Sequence, residues 1–334
     1  FAWFRKNVDF SALQCENLKL YLERTRITEL YIDGKKIGRQ ESLCTPHIYD
    51  LNEYIGTGVH EMTICVSNVG YKTKGGHLTS PDTQTNWNGI TGRIELIGYK
   101  NAHAENVMLW CDIHNKTVRV TANITGGKSG KAVISAESFN SERSHTPEVQ
   151  SFEYTNGKLD ALYKMGDDCL LWSEHEPNLY KLKIDIDGDV SEHIIGMREF
   201  RTEGGKFTIN GEKTFLRGKH DGMIFPKTAF APTDLEEWLR IMKISKSYGM
   251  NHYRYHTCCP PEAAFVAADM LGIYMEPQLP FWGTITEEGE ENHNQEEQDF
   301  LVEEGFNMLK FFGNHPSYCM MSMGNELWGS KKIL

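Results

Sequence analysis

The chain has 334 residues, 46 acidic against 35 basic side chains, a net charge of −11, and 40% hydrophobic, 24% charged and 11% aromatic residues. That length can hold two or three cores, and the acidic balance argues against a phosphate-backbone partner, which needs clustered Lys and Arg. With no apolar run near the ~18 residues of a membrane span, neither a nucleic acid nor a membrane is expected as partner. A neutral or polyhydroxylated ligand suits such a surface better.

Residues 1–100 read as β-structure. "LKLYLERTRITELYIDGKKIG" alternates apolar and polar residues and turns at Asp33-Gly34, a hairpin signal; "HEMTICVSNVGY" and "GRIELIGY" share the period of two. Between these lies "KTKGGHLTSPDTQTNWNG", a loop whose length predicts a functional or mobile role. Residues 101–201 give a second run of short strands, "NVMLWCDIHN", "KTVRVTANITG", "GKAVISAESF", "NLYKLKIDID" and "SEHIIGMREFRT", which suggests a β-sandwich of immunoglobulin-like size.

Near residue 202 the pattern changes. "KTFLRGKHD" reads as a strand with a polar end. "PTDLEEWLRIMKISKSYG" reads as a helix with a capping box at Thr233 and Glu236, an apolar stripe of Leu235, Trp238, Leu239, Met242, Ile244 and Tyr248, and Gly249 as its stop. "MNHYRYH", "PPEAAFVAADMLG", "IYMEPQLPFW", "DFLVEEGFNMLKFFGNHPS" and "YCMMSMGNE" continue as strand, helix, strand, helix, strand. Such alternation implies parallel strands, and polar strand ends favour a (β/α)8 barrel. Residues 202–334 hold four of its strands, where the closed fold takes about 250 residues. The acidic loop Thr286–Asp299 reads as a solvated connection.

The eight cysteines form no CxxC pair, so they are expected to be mostly free, buried thiols. Cys258-Cys259 has no neighbours that complete a zinc set. The sequence opens on Phe1 inside an alternating pattern, without an initiator methionine or signal segment, and closes just after a strand. Both ends are therefore expected to be cut, and the compartment, whether periplasmic, secreted or cytoplasmic, is unread.

In a barrel the reactive groups sit at the carboxyl ends of strands. Here those ends deliver His220 and Asp221, then Arg254 and His256, then Glu276 and Gln278 followed by Trp282, then Asn325 and Glu326. Each has a bland alternative: a core histidine at His220, an ion pair at Arg254, packing at Trp282 and Trp328. Together, carboxylates for proton transfer, amides for hydroxyl recognition and aromatic faces for sugar rings suit cleavage of a glycosidic bond.

"FAWFRKNVDF" with "ELYIDGKKIG", "TNWNGITGRIELI", "LWSEHEPNLYKLKIDI" with "GMREFRT", "FTINGEKTFLRGKH" and "GNHPSYCMMSMGNE" follow one another in the order of a known family. The chain resembles glycoside hydrolase family 2, the group of β-galactosidases, β-glucuronidases and β-mannosidases. The resemblance implies a multidomain fold: a jelly-roll sugar-binding domain (1–100), an immunoglobulin-like β-sandwich (101–201) and the first half of a TIM barrel (202–334). It implies Glu326 as general acid/base, Asn325 on the sugar 2-hydroxyl and Arg254 near the nucleophile. His220 lies where the family has a histidine, its usual Asn-Arg-His-Glu shortened to "GKHD"; Asp221, His256 and Trp282 complete the expected substrate contacts.

The implied reaction is retaining hydrolysis of a terminal β-linked sugar, β-galactoside first, with β-glucuronide, β-mannoside or non-catalytic carbohydrate binding as alternatives. Glu326 is expected to be kept protonated by an apolar setting and a neighbouring anion. The family's nucleophile is a glutamate on a later strand, so this chain alone is expected to be inactive. No cofactor is firmly implied. A divalent metal is compatible with the family, but the Glu-x-His that supplies metal ligands in some members is absent from "MEPQLPFWG". A homo-oligomer is compatible with the resemblance.

Overall fold

Antiparallel pairing dominates the first two hundred residues of the computed structural model, which describes residues 1–83 and 87–333. Strands β1 (Ala2–Asp9), β2 (Asn17–Thr25), β3 (Ile27–Ile32), β4 (Lys35–Gln40), β5 (His47–Asp50), β6 (Val59–Ser67) and β7 (Ile90–Tyr99) form two sheets, ordered β1-β6-β3-β4 and β5-β2-β7. Leu18, Leu20, Leu22, Leu30, Ile64 and Val66, at most 5% exposed, form the core between them. The alternating run that reads as one motif is thus two strands in different sheets, and the chain crosses at Arg26. That residue is 1% exposed; its guanidinium donates to the Leu78 and Trp87 carbonyls and lies 4.2 Å from the Trp87 ring centroid. Burial pulls its pKa down to about 10, and the carbonyls and the π face offset the lost hydration. Asp33 and Gly34 both have positive φ, as a two-residue hairpin between β3 and β4 requires. The long loop expected after β6 falls in part on 84–86, outside the described residues.

Strands β8 (His103–Asp112), β9 (Thr117–Thr125), β10 (Ser129–Ser138), β11 (Gln150–Thr155), β12 (Lys158–Lys164), β13 (Tyr180–Ile186) and β14 (Asp189–Ile195) make one sheet in the order β14-β13-β10-β11-β12-β9-β8. The β11–β12 hairpin is absent from the sequence reading, although Asn156-Gly157 at its tip, both at positive φ, is a hairpin signature. These two strands share only the Thr155–Lys158 pair, so the sheet splays there and folds over a core of Val118, Val120, Ile134 and Ile184. Its end strands β8 and β14 touch, nearly closing the ring.

A small antiparallel sheet follows: β15 (Phe200–Glu203), β16 (Lys206–Ile209) and β17 (Glu212–Thr214). "KTFLRGKHD" is therefore not one strand. Its start turns back on β16, and β18 (Gly218–Asp221) begins a parallel sheet. Helix α1 (Leu235–Ser247), β19 (His252–Tyr255), α2 (Glu262–Leu271) and β20 (Tyr274–Glu276) complete the order β18-β19-β20. Next come β21 (Trp282–Ile285), α3 (Gln295–Phe312) and β22 (Asn325–Gly329), with β21 and β22 paired in parallel. Each of the last two expected strands is thereby split, and 318–322 meets the segment that follows from β20 in isolated bridges, Met275 with Tyr318 and Gln278 with Ser322, and not in a continuous ladder.

The α1 cap is Asp234, whose carboxylate accepts from the Glu237 N–H at 2.8 Å, rather than Thr233. Ile244 and Tyr248, 48% and 79% exposed, lie off the buried stripe, which runs through Trp238 and Met242 at a spacing of four. All eight cysteines are free, and Cys44, Cys65, Cys258 and Cys259 are buried. Among the described residues no helix is long and apolar enough to cross a membrane.

Candidate active site

Strand parity sorts the polar strand ends before any chemistry is invoked. On the β18-β19-β20 sheet, Tyr253, Tyr255 and Met275 face α1 and α2 in a core with Trp238, Met242 and Phe265. Parallel register places His220, Arg254 and Glu276 abreast on alternate residues, hence on the opposite face. Asp221, paired with Tyr255, falls on the helix side. It is 8% exposed, and its oxygens accept from Lys219 Nζ (2.9 Å) and from the Met223 N–H (2.7 Å). Asp221, expected as a sugar contact, thus lies on the face opposite His220, and its hydrogen bonds brace the end of β18.

Arg254 is the hub. Its Nη2 donates to Asn325 Oδ1 at 2.9 Å, and its Nε lies 3.9 Å from Glu276 Oε1. The second Glu276 oxygen is 3.1 Å from His252 Nε2. Gln278, fully buried, turns its carboxamide oxygen toward the guanidinium, accepting from Nε at 2.8 Å and Nη2 at 2.9 Å, while its nitrogen donates to the Tyr255 carbonyl at 3.2 Å. The reverse orientation would set donor against donor and acceptor against acceptor.

Around the hub lies a ring cluster. His256 is 4.8 Å from His220, 5.0 Å from His77 and 5.8 Å from Trp282, centroid to centroid, and His77 is 5.6 Å from Trp282. Partial burial, then the neighbouring His77, His220 and Arg254, push the His256 imidazole below its ordinary value; the Glu326 charge opposes that shift. Burial and His220 lower His77 likewise. Both rings are thus biased toward the neutral form, which can donate and accept hydrogen bonds.

His77 is absent from the sequence reading. It arrives from the loop after β6, whose Thr73 hydroxyl donates to the Pro280 carbonyl at 3.2 Å and whose His77 N–H donates to Thr257 Oγ1 at 2.8 Å. The signal that could have found it is Gly75-Gly76: a Cβ at Gly75 would strike the Trp282 backbone, and one at Gly76 would lie 2.7 Å from the Pro280 carbonyl carbon.

Gly324, Asn325 and Glu326 have separate geometric reasons. A Cβ on Gly324 would come within 2.5 Å of the Phe281 carbonyl oxygen, so the strand can close only over a glycine. Asn325 pairs with Trp282, but the next pair is Thr284 with Trp328, leaving Glu326 and Leu327 opposite Gly283. Glu326, at φ 50°, occupies this bulge, a device that re-aims a side chain at the end of a ladder. The apolar enclosure expected around Glu326 is not built by the described residues. The residue is exposed, and among them it forms no ion pair. Among the described residues no group of three or more His, Cys, Asp or Glu is placed to hold a metal ion.

The structure thus gathers His220, Arg254, His256, Trp282 and Asn325, sets Glu326 beside them, and leaves Asp221 out. The sequence model of Glycosyl hydrolases family 2 matches residues 102–198. A putative β-glucuronidase of Formosa agariphila is 24% identical over 98% of this chain and 40% of its own length, and a β-galactosidase of Leuconostoc mesenteroides is 22% identical over 89% and 30%. The chain therefore spans less than half the length of these curated relatives. Among solved structures, a Faecalibacterium prausnitzii β-glucuronidase superposes with a TM-score of 0.78 at 15% identity, covering 97% of this chain and 58% of that one. A Bacteroides vulgatus β-glycosidase gives 0.75 at 19%, covering 98% and 43%.

Proposed function

From a chain that belongs to glycosyl hydrolase family 2, we propose that residues 202–334 carry the acid/base side of a retaining exo-β-glycosidase site, in a protein that hydrolyses terminal β-linked sugars. In this reading the paired sheets of 1–100 are a jelly-roll sugar-binding domain, the folded-over sheet of 101–201 is the immunoglobulin-like domain, and the parallel strands that follow open a TIM barrel.

One observation carries the proposal: Arg254 holds Asn325 by a charge-assisted hydrogen bond next to a carboxylate that a bulge has freed from the ladder. With its oxygen engaged, the Asn325 amide presents its nitrogen, a donor for a sugar hydroxyl. Glu326 protonates the departing glycosidic oxygen and then takes a proton from the incoming water. A second carboxylate, about 5 Å away, attacks the anomeric carbon. Glu276 is a poor candidate for that role, since its oxygens lie against His252 and Arg254; the nucleophile is assigned to a residue outside this chain.

A β-galactoside is the first choice of sugar, with β-glucuronide and β-mannoside as alternatives. Lys219 is bonded to Asp221 and lies 4.9 Å from the Tyr253 ring centroid, on the helix side of the sheet, and Arg254 is held by Asn325 and Gln278. Both cations are thus engaged within the chain, and they do not decide between a uronate and a neutral sugar. The test is a screen of aryl β-galactoside, β-glucuronide and β-mannoside with the full-length protein and its Glu326→Gln variant. Hydrolysis of one substrate, lost in the variant, is expected; an unchanged rate in the variant removes Glu326 from the role. The 334-residue chain alone is expected to show no turnover.

A further inference from the structure

We infer that Gln278 is a positioning residue of this site, setting the amide orientation of Asn325 through Arg254; the inference rests on the reading of Asn325 as a sugar-hydroxyl donor. Gln278 is fully buried, and a buried carboxamide must be satisfied at both ends. It meets that demand on one strand, β19: its nitrogen donates to the Tyr255 carbonyl, and its oxygen receives Nε and Nη2 of Arg254. Its own N–H donates to the Cys258 carbonyl at 3.0 Å, and its position pairs with Ser322, so the backbone beneath it is tied on both sides.

The guanidinium, a planar fork, has its orientation fixed by two parallel bonds to one acceptor. That orientation leaves the second Nη2 proton for Asn325 Oδ1. With Oδ1 engaged, the amide cannot flip without setting Nδ2 against the cation, so Nδ2 points away from Arg254 as a donor. The buried residue thus determines the polarity of a hydrogen bond it does not itself make. Glu276, 3.9 Å from Nε, supplies charge but not direction.

The test uses the full-length protein with an activated aryl β-galactoside and its 2-deoxy analogue. Gln278→Leu is expected to lower kcat/KM on the hydroxylated substrate by roughly 10²-fold, the cost of a misplaced contact, and on the 2-deoxy substrate by about threefold or less. Gln278→Glu keeps the acceptor toward Arg254 and is expected to retain most of the discrimination between the two. Equal losses on both substrates in Gln278→Leu would mean a merely structural residue and would overturn the inference. If the wild-type protein hydrolyses neither substrate, the choice of a β-galactoside falls, not this inference. The Gln278→Leu crystal structure then decides: Arg254 still bonded to Asn325 Oδ1 overturns the inference, and a displaced guanidinium with a turned amide upholds it.

Discussion

The seven-stranded sheet and the parallel strand–helix region bury their interiors in different currencies. Inside the folded-over sheet, Val118, Val120, Ile134, Leu182, Ile184 and Ile186 are fully buried and wholly apolar. The parallel region has its own apolar core, yet it also buries Thr257, Asp269, Gln278 and Ser317 completely and Glu304 to within 1%. Apolar burial is non-directional and stabilises whatever encloses it. Buried polar groups are directional: each must find a partner, and in doing so fixes an angle. The first region holds a shape, while the second aims side chains. Glu304 illustrates this, since its buried carboxylate accepts from the Leu43 and Cys44 N–H groups and ties α3 to the connection between β4 and β5.

If that division is right, substitutions in the two regions should separate activity from stability. The largest effect is expected for Glu326→Gln in the full-length protein, about a 10³-fold loss of kcat on a poor leaving group, or roughly 4 kcal/mol of barrier, with little change in melting temperature. Ile184→Ala should do the reverse. Removing a fully buried side chain from β13 costs about 2–5 kcal/mol of stability, read by denaturant unfolding, and leaves kcat of the folded fraction unchanged. A fall in kcat with Ile184→Ala, or a collapse of stability with Glu326→Gln, would break the comparison.

A pH series sharpens it at one buried polar pair. His315 Nδ1 lies 2.5 Å from Asp269 Oδ2. Burial pulls the imidazole down, but the Asp269 charge and hydrogen bond prevail, and its pKa is raised above 6.5. A raised histidine stabilises fully below its unfolded-state value and loses that contribution as pH rises through the folded-state value. The destabilisation caused by His315→Gln should therefore be larger near pH 5.5 than near pH 9, in thermal melts across that range. Ile184→Ala, with no titrating partner, should show no such dependence.

Much of this contrast was legible in the sequence, for identifiable reasons. Alternation marks β-strands and a change to strand–helix rhythm marks the parallel region, since both are local. Which sheet a strand joins is not local, so β2 and β3 read as one motif until Arg26 is seen crossing between sheets. Parity is local too: Asp221 directly follows His220, so the two cannot share a face, and that rule alone separates Asp221 from His220, Arg254 and Glu276. His77 is a different case. Its N–H meets Thr257, 180 residues away, and no periodicity reports such a contact; only the adjacent glycines hint at a close approach. The bulge at Glu326 is equally silent, because it depends on how β21 and β22 pair.

The smallest expected effect tests a detail on which sequence and structure disagree. "PTDLEE" offers two caps for α1, Thr233 with Glu236 three residues on, or Asp234 with Glu237. A cap must be extended while its oxygen reaches an N–H three residues on. Asp234 has φ −94° and ψ 143°, and its carboxylate receives the Glu237 N–H at 2.8 Å. An anionic cap also interacts favourably with the positive end of the helix dipole. Asp234→Ala should thus cost about 1 kcal/mol, whereas Thr233→Ala should stay within about 0.5 kcal/mol, both by denaturant melts. Because α1 packs Trp238 and Met242 with Tyr253 and Tyr255, on the face of the parallel sheet opposite Arg254, neither variant should move kcat. Equal costs for the two variants would mean the capping box spans Thr233 after all, and the helix begins one residue earlier.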